Sequence, residues 1–162
     1  MEEIVCVIED ESRGFKGPSA VPLAGPIIVP KKGGYAQYDL FFTNRRIIAA
    51  VIFSHRTDVS DLMFGPTAGV QMALKWRKVR KERREQFKGK NADEILHLHP
   101  DSFEIPYENI ESIKLSKGLL SANMEIKAVW KGEIRRIKLP IPKKKFDEVK
   151  KIVNRYLSDK VI

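Results

Sequence analysis

Cysteine is almost absent: Cys6, inside the apolar run IVCVI, is the only one in 162 residues. One thiol closes no internal disulfide, which excludes a disulfide-stapled scaffold and fits a reducing, cytoplasmic setting. Cys6 itself reads as a small buried apolar side chain. No apolar run reaches the ~20 residues that a membrane-spanning helix needs. The opening MEEIVCVIEDE is acidic, with too short an apolar stretch for a secretory signal. P-loop, GxGxxG, HExxH, CxxC and GxSxG spacings are missing, so no catalytic or cofactor signature is present and a non-enzyme is expected. Glutamine is scarce (Gln37, Gln71, Gln86) beside 30 Lys and Arg, a balance in the direction of thermophilic proteins.

What the chain does have is concentrated positive charge. The net charge is +9, and residues 75–90 supply most of it. They hold Lys75, Arg77, Lys78, Arg80, Lys81, Arg83, Arg84, Lys88 and Lys90 against only Glu82 and Glu85. The stretch before them, LMFGPTAGVQMAL (62–74), is apolar. Outside this segment the chain is close to neutral. A length of 162 residues suits one domain with a real core, and the segment reads as a helical, basic insertion at 57–97 within it.

On either side the sequence is strand-like. EIVCVIE (3–9) reads as a short strand, and 10–26 as a Gly- and Pro-rich loop. IIV (27–29) reads as a further strand before the turn PKKGG (30–34). AQYDLFFT and RIIAAVIFS, joined through Asn44-Arg45, predict an antiparallel hairpin over 36–54, with Asn44 suited to a positive φ. A helix is expected over 67–87, capped by Thr67, with Met72, Trp76 and Val79 on one face and a polar C-terminal half. Asn91 with Glu94 predicts a capping box for a second short helix. Strands resume with Phe103 and Ile105, then Ile110, Ile113 and Leu115. MEIKAVW (124–130) alternates cleanly, Lys131-Gly132 makes a hairpin turn, and EIRRIKL returns. Ile134 is out of phase with Ile137 and Leu139, which requires either a bulge or a place on the other face. From about 143 to 157, Phe146, Val149, Ile152, Val153, Tyr156 and Leu157 recur at helical spacing.

Two patterns carry a family resemblance: the hairpin LFFTNRRII (40–48) and the strand–bend–strand EIPYENIESI (104–113). With them, residues 36–54 and 102–157 resemble the pleckstrin-homology-like (PH-like) superfold, more closely its GRAM and prokaryotic PH-like branches. The resemblance implies a mainly β domain of two near-orthogonal antiparallel sheets, about seven strands counted from Ile27, and a C-terminal helix closing one end. The basic segment would then be an insertion between the third and fourth strands. It also implies a recognition scaffold. Some relatives bind phosphoinositides through basic residues in the first loop and the next strand. The matching positions here are Lys31 and Lys32, but the strand that follows begins YAQY, without a basic residue.

The basic run is the strongest candidate site. For an anionic membrane, Leu62, Met63, Phe64 and Trp76 would be apolar anchors, and Lys75, Arg77, Lys78, Arg80, Lys81, Arg83 and Arg84 charge anchors. That reading leads and places the protein in the cytoplasm, peripheral to the inner face of the membrane. Nucleic acid bound through phosphates, an acidic protein, and self-association as a homo-oligomer through the insert helix are alternatives. So is a merely solvated helix. His97, His99 and Asp101 in HLHPD would suit a metal only if both histidines pointed one way from a strand, and no metal is expected there. Lys143, Lys144 and Lys145 open the last helix and present an anion-attracting or simply solvated turn.

Overall fold

A computed structural model describes residues 1–10, 36–54, 58 and 68–162. The expected strand 27–29, the turn with Lys31 and Lys32, the Thr67 cap and the anchors Leu62, Met63 and Phe64 lie outside the described residues, as does the side chain of Met72.

Among the described residues, seven strands form two antiparallel sheets. β1 (Ile4–Ile8), β2 (Ala36–Thr43), β3 (Arg46–Ser54) and β4 (Phe103–Pro106) make one sheet in that order. β5 (Ile110–Lys117), β6 (Ala122–Trp130) and β7 (Glu133–Ile141) make the other. Helices α1 (Ala68–Phe87) and α2 (Ala92–His97) fall between β3 and β4 in the chain. A 3-10 turn, Lys143–Lys145, leads into the C-terminal α3 (Phe146–Tyr156).

The alternation of small runs such as MEIKAVW explains the core. Met124, Ile126 and Ala128 are fully buried, and their respective cross-strand partners Leu139, Ile137 and Ile110 are equally inaccessible. One apolar cluster takes residues from all seven strands and α3, so the two sheets share a single core. Phe146, Val149, Val153 and Leu157 enter it from the C-terminal segment, with Ile152 and Tyr156 packed at its margin. Each such side chain contributes about 1.5–3 kcal/mol when fully buried.

The β6–β7 ladder runs without a bulge, and Ile134 stands on the outer face, 57% exposed. Lys131 and Gly132 both have positive φ (50° and 79°), the pair that a type I′ hairpin turn requires. The β2–β3 turn is built differently from expectation. Asn44 does not take a positive φ. Instead the Thr43 hydroxyl accepts from the backbone N–H of Arg45 and Arg46 at 3.0 and 2.9 Å. Asn44 accepts from the Glu3 N–H and so ties the turn to the N-terminus.

β2 and β3 are buried on both faces along almost their whole length. Ala36, Tyr38, Leu40 and Phe42 face the shared core. Phe41, Ile48, Ala50 and Ile52 face the other way and form a second cluster with Phe87 of α1 and Ala92 and Ile95 of α2. The helical segment therefore covers the outer face of the four-stranded sheet.

Candidate anionic-surface interface

Helix α1 has a side turned to the sheet and a side turned to solvent, and the residues of the basic run are divided between them. Trp76, Arg80, Arg83, Arg84 and Phe87 follow helical spacing and turn towards the sheet. Three contacts along β2 fix the orientation. Trp76 Nε1 donates to Gln37 Oε1 at 2.7 Å. The Arg84 guanidinium forks onto Asp39, Nε to Oδ2 at 2.7 Å and Nη2 to Oδ1 at 2.8 Å. The Phe87 ring meets Phe41 edge-on, with centroids 5.3 Å apart. Both numberings ascend together, so the helix runs in the direction of β2.

Two further arginines complete the inner face. Arg83 forks onto Asp58, both bonds 2.8 Å, and Asp58 also accepts from the Ser54 N–H. Arg80 stacks over the Trp76 ring, 4.3 Å from its centroid, and donates to the Asp10 carbonyl. Burial pulls the Arg80 proton affinity down, whereas the hydrogen bonds to Asp39 push that of Arg84 up. Asp39 is almost completely enclosed, its side chain 1% exposed, and also accepts from the Asp10 N–H. A guanidinium suits such a site because its planar fork matches a carboxylate and is more weakly hydrated than an ammonium.

This placement corrects the assignment of four residues. Trp76 is 4% exposed and packs on the domain, so it is no surface anchor. Arg80, Arg83 and Arg84 meet acceptors of the domain itself, which withdraws their charge from an external partner. The expectation of a polar helix end also changes, because the inner stripe continues through arginines to Phe87.

An adjoining stripe faces solvent. Val70 and Leu74 are 65% and 62% exposed. Arg77, Lys81 and Lys88 follow on the same stripe, along the flank that borders the groove between α1 and β1–β2, and Lys78 is turned further round the helix; all four are exposed. Lys75 lies half-buried on the flank. Glu82 and Glu85 moderate the charge locally: Lys78 is 3.9 Å from Glu82, and Lys88 is 2.8 Å from Glu85. Thus an apolar-then-basic order does reach the surface, carried by Val70 and Leu74 rather than Trp76. The signal that would have found this division is in β2 and β3. Runs that are apolar on both faces demand a cover, and Gln37 and Asp39 within β2 demand polar partners.

An open groove of about 770 Å³ lies between α1 and β1–β2, with Val7, Phe41 and Phe87 as apolar lining and Asp39, Arg80 and Arg84 as polar lining. Arg84 is bonded to Asp39 and Arg80 to the Asp10 carbonyl, and the exposed Arg77, Lys81 and Lys88 border the same groove. The other sequence candidates are separate from it. His97 ends α2, with Nδ1 2.7 Å from the Asp93 carbonyl, and buried His99 accepts from the Asp101 N–H at 3.0 Å. They sit on a helix end and a turn, so the strand geometry that would aim both at one metal is not there. Among the described residues no group of three or more His, Cys, Asp or Glu is placed to hold a metal. Cys6 donates to Glu148 at 3.1 Å, and burial, with that carboxylate beside it, pushes its thiol up to about 12. No helix among the described residues is long and apolar enough to cross a membrane.

Comparison with protein-family models, curated proteins and solved structures returns no match.

Proposed function

We propose that this chain is a non-catalytic binding module of PH-like architecture that docks on an anionic membrane through the outward stripe of α1. The carrying observation is the order of exposed residues on that stripe: Val70 and Leu74, then Arg77, Lys78 and Lys81. Four strands plus three with a C-terminal helix support the PH-like reading, with 57–97 as the insertion between its third and fourth strands. Leu62, Met63 and Phe64, four to six residues before the helix in sequence, are further apolar anchors in this proposal. In this reading the domain is cytoplasmic and peripheral to the inner face of the membrane.

Each cation held near such a surface contributes about 1 kcal/mol, and buried apolar area adds a part that salt does not screen. Nucleic acid or an acidic protein would use the cations without the same need for Val70 and Leu74, whereas a second copy would bury the apolar half itself. The test compares the parent with the triple variant Arg77→Gln, Lys78→Gln, Lys81→Gln on anionic vesicles, neutral vesicles and duplex DNA at two salt concentrations. Loss of anionic-vesicle binding in the variant, with a salt-resistant remainder in the parent that Leu74→Ser removes, is expected. Binding to DNA alone, with a log K against log salt slope of about −3 to −4 for roughly four phosphates, would replace membrane by nucleic acid. Equal binding of parent and variant would leave α1 as a solvated face.

A further inference from the structure

Among the described residues, the most exposed apolar side chains within an element or turn lie far from α1 in sequence, at the β5–β6 hairpin. Leu119 and Leu120 are 91% and 92% exposed at its tip. The turn that presents them is ordered by its own bonds. Lys117 pairs with Ala122 across the ladder, and the Gly118 N–H donates to the Ser121 carbonyl at 2.7 Å. Two adjacent leucines therefore project beyond the last rung into solvent.

Lysines stand beside this tip. Ala122 pairs with Ile141 at the end of β7, which brings the Lys143–Lys145 turn alongside. The Lys143 ammonium donates to the Leu119 carbonyl. Lys117 lies over the Phe146 ring, 5.3 Å from its centroid, and 3.9 Å from Asp147. Lys145 is 2.7 Å from Glu148. Lys117 at the hairpin end and the Lys143–Lys145 turn thus set four lysines against the carboxylates of Asp147 and Glu148, a net positive charge beside the tip.

We infer that the Leu119–Leu120 tip inserts into the interfacial region of an anionic bilayer, with Lys117, Lys143, Lys144 and Lys145 against the lipid headgroups. A projecting apolar tip with a collar of ammonium groups matches the layering of such a membrane: hydrocarbon inside, negative charge at its border. A nucleic acid would match the lysines but not the leucines. The inference does not rest on the reading of α1, because different residues carry it.

The test uses the full chain and vesicles of phosphatidylcholine with or without phosphatidylserine. Leu119→Ser with Leu120→Ser should reduce binding to the anionic vesicles by about tenfold or more. Its melting temperature should match the parent, since both side chains are solvated already. Lys143→Gln with Lys144→Gln should reduce binding and its salt dependence together. An environment-sensitive fluorophore on Leu119→Cys should shift to the blue with anionic vesicles, while one on Glu133→Cys should not. Unchanged binding of the double-serine variant together with an unshifted probe at 119 overturns the inference. So does a probe response to duplex DNA or to protein concentration in place of vesicles. Loss of vesicle binding on changing Arg77, Lys78 and Lys81 while the double-serine variant binds as the parent would retain the α1 reading and remove this one. The reverse result would do the opposite.

Discussion

Arg84 and Asp39 are joined by two parallel hydrogen bonds, at 2.7 and 2.8 Å, across the contact between α1 and β2. They are 45 residues apart in the chain. The pair turns one of the most basic stretches of the sequence towards the protein. Removing only Arg84 strands a carboxylate that is 1% exposed. Arg84→Met is expected to destabilise the fold by about 3 kcal/mol, and to lower the melting temperature by roughly 6–12 °C. Adding Asp39→Asn keeps an acceptor for the Asp10 N–H and removes the stranded charge. Thermal melts of the single and double variants check this; a double variant no more stable than the single one would contradict it.

Trp76 gives a second prediction. It stacks under Arg80 and donates to Gln37, so its loss leaves a cavity and an unpaired amide. Trp76→Ala is expected to cost about 3–5 kcal/mol. At temperatures where the variant is still folded, its partition onto anionic vesicles should equal the parent's. A stable variant with weakened vesicle binding would return Trp76 to the surface.

The N-terminus supplies a pH dependence. Arg46 donates to Glu2 at 2.6 and 2.8 Å and also bonds Glu104 and Asp93. The Arg46 hydrogen bonds hold Glu2 below its ordinary value of 4.5. A carboxylate depressed in the folded state stabilises fully above that value and loses its contribution as pH falls through the folded pKa. Melting temperature should therefore drop as pH is lowered below about 4.5, the unfolded reference. Glu2→Gln should melt lower at neutral pH and show a flatter acid limb. An acid limb of unchanged slope would rule out this contribution.

How far the sequence carries depends on the range of the interaction. Strand alternation in 124–130, the Asn91–Glu94 capping box and the helical spacing of Phe146, Val149 and Val153 are local, and each appears where expected. The Lys131-Gly132 turn is local too. The division of the basic run is not, because Asp39 and Asp58 lie well before it and only the packed fold brings them against it. A count of charge treats Arg84 and Lys78 alike, whereas one is forked onto a buried carboxylate and the other has a side chain 76% exposed. The leucines of the β5–β6 tip were legible in principle, as two apolar residues between Gly118 and Ser121, in a turn where polar residues are the rule.

The central claim is that α1 separates its work by face: inner arginines hold it to the sheet, and outer cations dock. Its most direct measurement pairs melting with anionic-vesicle binding for two variants, Arg84→Met and the outer triple Arg77→Gln, Lys78→Gln, Lys81→Gln. The expected result is a crossed pattern. Arg84→Met melts several degrees lower yet binds as the parent while folded, and the outer triple melts as the parent yet loses most binding. A triple variant that binds like the parent, or one that melts as low as Arg84→Met, would contradict the separation.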